Sequence, residues 1–373
     1  MTYRTIVCTG QDGFEHVRGH FETLACHARY FTQLPEWLGN LTTDAVSWFA
    51  VTDEDRTVAV AALSPQRARF WGKDLRLLGG VRQVLDDRQE HGLPLGAVAI
   101  AHPESDLKTT ARALLAGYRQ AGANWDVLWL DAVREGSPWL ESGFECDMRE
   151  VESGVPILDT TMPSSQFWAA ASAHLRHGLS TNRRRMDREG RTSAVVEART
   201  PDEVASAFDD FVELEGRGWK RRVGAFVKRP GAADFVRRFF VSAAASRRVS
   251  IRSLLIDDRL AASQLSVRVG DSIALVKIAY DETLQHLSPG NLLMADLISK
   301  ACDDPTVNRI DFGERASWFD RWGTVTSPTY DLIAFNPRSP AGLAAGTVWK
   351  ALRAVGKRPR YSDSPDDPGV HMH

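Results

Sequence analysis

Three stretches of this chain carry residue types that can do chemistry. The first is Ser288-Pro289-Gly290, which follows the apolar run Ser272 to Tyr280 and the polar loop Asp281 to Leu287. Serine can cap a helix, proline fits its first turn because its missing N–H costs nothing there, and glycine lets a ligand approach the backbone. The N–H groups of such a turn form a natural anion site, with a bound phosphate as one tenant and a plain capped helix as the other reading. The second stretch is basic: between His174 and Arg191, the arginines 176, 183, 184, 185, 188 and 191 meet only Asp187 and Glu189. That local excess either holds an anion or is a solvated helix face on which like charges such as Arg184 and Arg188 repel. The third is Trp219-Lys220, closing Leu214-Glu215-Gly216-Arg217-Gly218, where two glycines break a helix. A tryptophan beside a break can line a pocket, with Lys220 reaching a phosphate or carboxylate, or it can be core. Lys277 joins them because it interrupts an apolar run. Turned into a cleft, it would be a substrate or cofactor contact with its pKa lowered by burial; turned to solvent, it is an ordinary surface lysine.

Stepping from residues to the whole chain narrows the classes. The 373 residues, 43% hydrophobic and 25% charged, predict a globular protein with a substantial core and two domains. A formal net charge of -2 offers no global attraction to nucleic acid or membrane. Cys8, Cys26, Cys146 and Cys302 lack CxxC spacing, and no His, Cys or carboxylate cluster has metal-ligand spacing, so neither a metal nor a disulfide framework is expected. No G-x-S-x-G or Cys-His pairing argues for a covalent acyl-enzyme. The N-terminal stretch lacks a basic start followed by an apolar core, and no apolar run approaches the roughly 20 residues that span a bilayer. The expectation is a cytoplasmic protein with reduced thiols and no membrane partner.

The elements that must position these residues follow from periodicity. A helix is predicted from Gly13 to Ala28, with strands at Val46 to Thr52, Thr57 to Leu63 and Arg69 to Leu78. A short apolar run, Gly96 to Ala101, precedes an amphipathic helix from Asp106 to Ala121 and a strong strand, Trp125 to Val133. Gly136 to Gly143 reads as a turn or short helix, and Met148 to Leu158 as extended. The second half repeats this grammar: a helix from Ser164 to Arg188, a strand from Thr192 to Arg199, a helix opened by Pro201-Asp202-Glu203 and another from Ala232 to Ser246. Strands are then predicted at Val249 to Ile256, Leu260 to Val269 and Ser272 to Tyr280. A helix after Ser288, a strand at Val307 to Phe312, a short helix near Trp318 and a strand at Tyr330 to Phe335 complete the order. The fold class is α/β, mixed sheets with covering helices, with domains at 1–160 and 161–340 and a C-terminal helix and disordered tail at 341–373.

Several strings in order resemble the CelD-type acyltransferases of the GNAT superfamily, relatives of the Fem-type aminoacyltransferases built from two tandem GNAT-like domains. They are Leu75-Arg76-Leu77-Leu78-Gly79, Trp125-Asp126-Val127-Leu128-Trp129-Leu130, Arg183-Arg184-Arg185-Met186-Asp187-Arg188-Glu189-Gly190, Leu214 to Lys220, Ala279-Tyr280-Asp281 with Ser288-Pro289-Gly290, and Ile310-Asp311-Phe312-Gly313. The resemblance covers about residues 40 to 335. It implies transfer of an acyl group from a thioester, acetyl-CoA or another acyl-CoA, to an amine or hydroxyl of a small metabolite or sugar, with the active site in the second domain. The first domain would be a degenerate copy, because no Q/R-x-x-G-x-G/A phosphate loop precedes its helix at Asp106.

In the second domain the matching loop is Gln285-His286-Leu287-Ser288-Pro289-Gly290, which departs from the pattern by carrying Ser288 at the first glycine. Gln285, Ser288, Pro289, Gly290 and Asn291, with Arg184 and Arg185, are the implied cofactor contacts. Tyr280 would protonate the leaving thiolate, while Asp281 or His286 takes the amine proton. The backbone N–H groups of the strand, where it splays from its neighbour, would serve the thioester carbonyl. Trp219, Lys220, Lys277 and Asp311 are the implied substrate contacts. The plain alternatives stay open: Tyr280 as the edge of the core, Asp281 as a turn residue, His286 as a solvated loop histidine. A second departure is Phe319, standing where many relatives carry a lysine shortly before Trp-Gly, so that any anion contact there falls to Arg315 or Arg321 or is absent. Two alternatives follow. One is an aminoacyl-tRNA-dependent amide-bond former using the 176–191 arginine cluster; the other is a binding protein that kept the fold and lost the chemistry.

Overall fold

The computed structural model describes residues 3–41, 46–70, 73–83, 93–94, 98–120, 124–143, 146–218, 225–226, 230–313 and 317–355. The first half runs β1 (Tyr3–Thr9), α1 (Gly10–Leu24), α2 (Pro35–Leu38), β2 (Ser47–Asp53), β3 (Arg56–Phe70) and β4 (Lys73–Gly79). It continues with β5 (Arg82–Gln83), β6 (Leu93–Pro94), β7 (Val98–Ala101), α3 (Leu107–Gln120), β8 (Val127–Arg134), α4 (Pro138–Glu141) and β9 (Asp147–Asp159). The second half runs α5 (Ser164–Ala170), α6 (Ala173–Arg188), β10 (Ser193–Ala198), α7 (Pro201–Arg217), α8 (Pro230–Ala244), β11 (Val249–Ile256), β12 (Arg259–Val269) and β13 (Ser272–Tyr280). It closes with α9 (Pro289–Asp303), β14 (Arg309–Asp311), β15 (Val325–Phe335) and α10 (Pro340–Ala354).

Each half lays its strands down as antiparallel neighbours in chain order and then adds one parallel neighbour. The first half gives β1-β2-β3-β4 with β8 parallel to β4; the second gives β10-β11-β12-β13 with β14 parallel to β13. The same strand order is thus laid down twice in the chain. The halves are joined by an exchange of strands, because the order across the middle is β8-β15-β9-β14. β15, the last strand of the chain, pairs with β8 and β9 of the first half, and β9 pairs with β14 of the second.

Local sequence accounts for the elements that frame the cleft. Thr200 and Glu203 form a reciprocal capping box at the start of α7, and Val204, Phe208, Phe211 and Leu214 turn one face of that helix into the core. The predicted helix from Ser164 to Arg188 is two helices: the chain extends at Ala171 and Ser172, and the Ser172 hydroxyl caps α6 by accepting from the Leu175 amide at 3.2 Å. The predicted strand at Tyr330 begins five residues earlier, at Val325, with the irregular pairing near Pro328 absorbed by a register shift. One core is shared between the halves: Trp37 packs edge-on against Phe235 and Phe239 at 4.7 and 4.9 Å between ring centroids. A second core lies under α9. All four cysteines are unpaired, and among the described residues no helix is long and apolar enough to cross a membrane. The tail predicted to be disordered lies outside the described residues, as do Trp219, Lys220 and Arg315.

Candidate active site

The parallel pairing of β13 with β14 covers three residue pairs and ends at Ala274 opposite Asp311, while β13 runs on to Tyr280. β14 ends at Asp311, so its described pairing with β13 stops at Ala274. On its other edge β13 stays paired to β12 as far as Tyr280 opposite Ala262, with one extra residue, Val276, between the Leu265–Lys277 and Ser266–Leu275 pairs. A bulge of this kind re-aims the residues that follow it. The outcome is a wedge with the far part of β13, from Leu275 to Tyr280, as one wall.

At the open end of the wedge stands the start of α9. Ser288 holds the left-handed conformation at φ 50° and ψ 54°, a geometry that costs a non-glycine residue roughly 1–2 kcal/mol. Its hydroxyl makes no cap to the helix and donates instead to the Gln285 carbonyl at 3.4 Å, so the expected serine cap is absent. The amides of Asn291 and Leu292 reach the Ser288 carbonyl at 3.0 and 3.2 Å, and Pro289 has no N–H to place. A Cβ added at Gly290 would sit 3.5 Å from Tyr280 Cδ1 and 3.9 Å from Ile278 Cδ1, so the helix begins directly against the end of β13. Ser288 thus departs from the family loop in residue type while holding a backbone conformation that glycine adopts freely.

The basic end of α6 docks on the turn that leads into α9. Arg185 donates to the His286 carbonyl, and the His286 ring lies 3.8 Å from the Glu189 carboxylate. Glu189 is held in turn by Arg191 at 2.8 Å, which together with His286 keeps that carboxyl below its usual value. Arg183, Arg184 and Arg188 are exposed beside them. Asp281 caps the 3-10 turn Glu282–Leu287, accepting from the Thr283 amide at 2.9 Å and its hydroxyl at 2.7 Å.

On the opposite side of the sheet the bulge presents Lys277 to α7. Its ammonium lies 2.7 Å from Glu215 Oε1 and 3.8 Å from the centroid of the Phe226 ring, and Glu215 Oε2 accepts from the Phe226 amide at 2.8 Å. Lys277 therefore ends on a buried carboxylate rather than in open solvent. Asp311, at the apex of the wedge, pairs with Arg134 from the first half and accepts from the Gly313 amide at 2.8 Å. The Arg134 guanidinium stacks over the Tyr30 ring at 4.7 Å; burial pushes the Tyr30 hydroxyl up to about 12, with Arg134 opposing. Phe319 is buried against Phe312 at 4.5 Å between centroids, which makes it core and leaves no anion contact at its position.

The structure thus gathers Tyr280, Asp281, Gln285, His286, Ser288, Pro289, Gly290, Asn291 and Arg185 at one end of the wedge, with Lys277 and Asp311 on its other side. Glu215 and Arg134 had no role in the sequence reading. Glu215 was findable, because it falls four residues after Phe211 on the stripe that buries Val204, Phe208 and Phe211, and a carboxylate at a core position demands a partner.

Comparison with known proteins agrees with this geometry. Residues 173–321, which contain α6 through β14, match the family model described as an acetyltransferase (GNAT) domain. Over those residues the chain carries a domain of the GNAT acetyltransferase type. FemX shares the fold at a TM-score of 0.59 and 10% identity, over 94% of this chain and 100% of that one. The C-terminal domain of a putative lysylphosphatidylglycerol synthetase from Agrobacterium fabrum aligns at 0.52 and 12% identity, over 90% and 97%. A conserved protein of unknown function from Bacteroides thetaiotaomicron aligns at 0.51 and 11%, over 86% and 97%. No curated protein matches the chain in sequence.

Proposed function

We propose that the protein transfers an acyl group, acetyl in the first instance, from acyl-CoA to the amine or hydroxyl of a small metabolite or sugar by direct attack. The observation that carries this is that β13 runs on past its described pairing with β14 and ends against the start of α9, where the Ser288 side chain does not cap the helix. A thioester laid in the wedge would point its charged handle at the amides around Gly290, with Arg184 and Arg185 alongside, and its carbonyl at the edge of β13. The nucleophile adds to the carbonyl carbon and the C–S bond breaks. Tyr280 gives the thiolate its proton, and Asp281 or His286 receives the proton that the amine sheds. Trp219 and Lys220 complete the acceptor side in this reading. The protein needs no metal for this chemistry and acts in the cytoplasm.

A second reading, amide-bond formation from aminoacyl-tRNA, is favoured by the exposed arginines of α6 beside the same turn. Thermal unfolding separates the two. Acetyl-CoA at 100 times its dissociation constant should stabilise the protein by roughly 2.7 kcal/mol. Gly290→Trp, which fills the space before Tyr280, should abolish that response. A shift with charged tRNA that fades with salt, and none with any acyl-CoA, would replace the first reading by the second.

A further inference from the structure

The two ion pairs on the side of the sheet away from α9 share a property that the start of α9 does not explain. In each, the carboxylate is hidden and the cation is the partner left in contact with solvent. Side-chain exposure is 0% for Glu215 against 21% for Lys277, and 11% for Asp311 against 23% for Arg134. Alternation along β14 sets Asp311 opposite Ile310, which packs in the core under α9, so Asp311 and Lys277 share the other side. Each cation is also held by an aromatic face, Phe226 under Lys277 and Tyr30 under Arg134. Asp311 lies opposite Ala274, and because Val276 is an extra residue Ala274 and Lys277 face β12 residues only two apart, which sets Lys277 about 7 Å further along at 3.3 Å per residue.

Stability alone gives a weak reason for such pairs, since apolar residues of similar volume often serve a core as well or better. A reason in binding is stronger. A carboxylate behind a cation offsets the cost of desolvating it and fixes its side chain before a ligand arrives, so less ordering remains to be done on binding. One cation comes from each half, and the two flank the wedge on the face opposite the proposed donor turn.

We propose that this face receives the acceptor, that the acceptor carries a carboxylate or phosphate beside its nucleophile, and that Lys277 and Arg134 hold that anion while Glu215 and Asp311 are positioning residues. The word acceptor rests on the acyl-transfer reading; the anion site does not. Calorimetric titration tests it with matched probes, phosphoethanolamine against ethanolamine and glutamate against its diamide, on the full chain without donor. The wild type should bind the anionic member of at least one pair roughly tenfold more tightly, and which pair shows this tells phosphate from carboxylate. Lys277→Met should erase the preference, Lys277→Arg should keep most of it, and Glu215→Gln should weaken it. A merely structural pair would lower the unfolding midpoint in all three variants and leave the preference intact, which would overturn the proposal. So would equal binding of both members by the wild type. Should Lys277→Met fail to fold, Lys277→Gln and Arg134→Gln carry the same expectation. A separate acetyl-CoA titration distinguishes the two readings: donor binding without anion preference sinks this proposal alone, and the reverse sinks the donor assignment alone.

Discussion

Two junctions at which a strand leads through a turn into a helix, β7 into α3 and β13 into α9, end differently. At α3 the carboxylate of Asp106 takes the helix amides, accepting from Lys108 N at 3.1 Å and Thr109 N at 3.3 Å, and the Thr109 hydroxyl at 2.5 Å. A negative charge built into the chain already occupies that positive end. At α9 the residue in the equivalent place turns its hydroxyl back to Gln285, and Gly290 follows two residues later. The same grammar has been closed in the first half and left open in the second. The difference explains why one junction is a candidate for an anionic ligand and the other is scaffold.

That contrast can be broken on purpose. Ser288→Asp would set a negative charge beside the first amides of α9, as Asp106 does at α3, and aspartate tolerates the left-handed backbone there. It should cancel the whole acetyl-CoA response, on the order of 2.7 kcal/mol at 100 times the dissociation constant; an undiminished thermal shift would show that the start of α9 is not the donor site. Ser288→Gly tests the other side of the comparison. It relieves the left-handed strain and should stabilise the free protein by about 1 kcal/mol in denaturant titration while keeping the ligand response. The smallest effect concerns α3. Hydrogen bonds from Thr109, side chain first and then backbone, hold the Asp106 carboxyl below its ordinary 3.8. A depressed folded value means the contribution is complete above 3.8 and is lost as pH falls through the lower folded value. Asp106→Asn should therefore flatten the acid limb of the stability profile below that pH and leave acetyl-CoA binding untouched.

How much of this was legible in the sequence follows from the kind of signal each residue leaves. Strand, loop and helix around Ser272 to Asp303 were readable, because a strand rich in Ile and Val, a proline at the first helical turn and a leucine stripe are local patterns. The missing phosphate loop before Asp106 was equally local. The Ser288 cap was misjudged for a conformational reason: serine is a favoured cap when its backbone is extended, and here the backbone is left-handed, so the hydroxyl points elsewhere. The break at Ala171 and Ser172 is hidden by neighbours that are all acceptable in a helix. Lys277 stood out in an apolar strand while Glu215, on the apolar stripe of α7, passed unremarked, and only the packing of α7 on β13 shows that each is the other's explanation. Arg134 with Asp311 was out of reach, since it joins residues from opposite halves.

The exchange of strands across the seam bears on how the chain is made. Leu130 of β8 waits for Leu332 of β15 before its edge is covered, so nearly the entire polypeptide must emerge from the ribosome before the first sheet can be finished. Such distant pairing is slow to close and leaves sticky borders in the meantime. A gene cut near residue 160 would yield two pieces with complementary gaps, each prone to aggregate by itself and each able to mend the other when they are produced together.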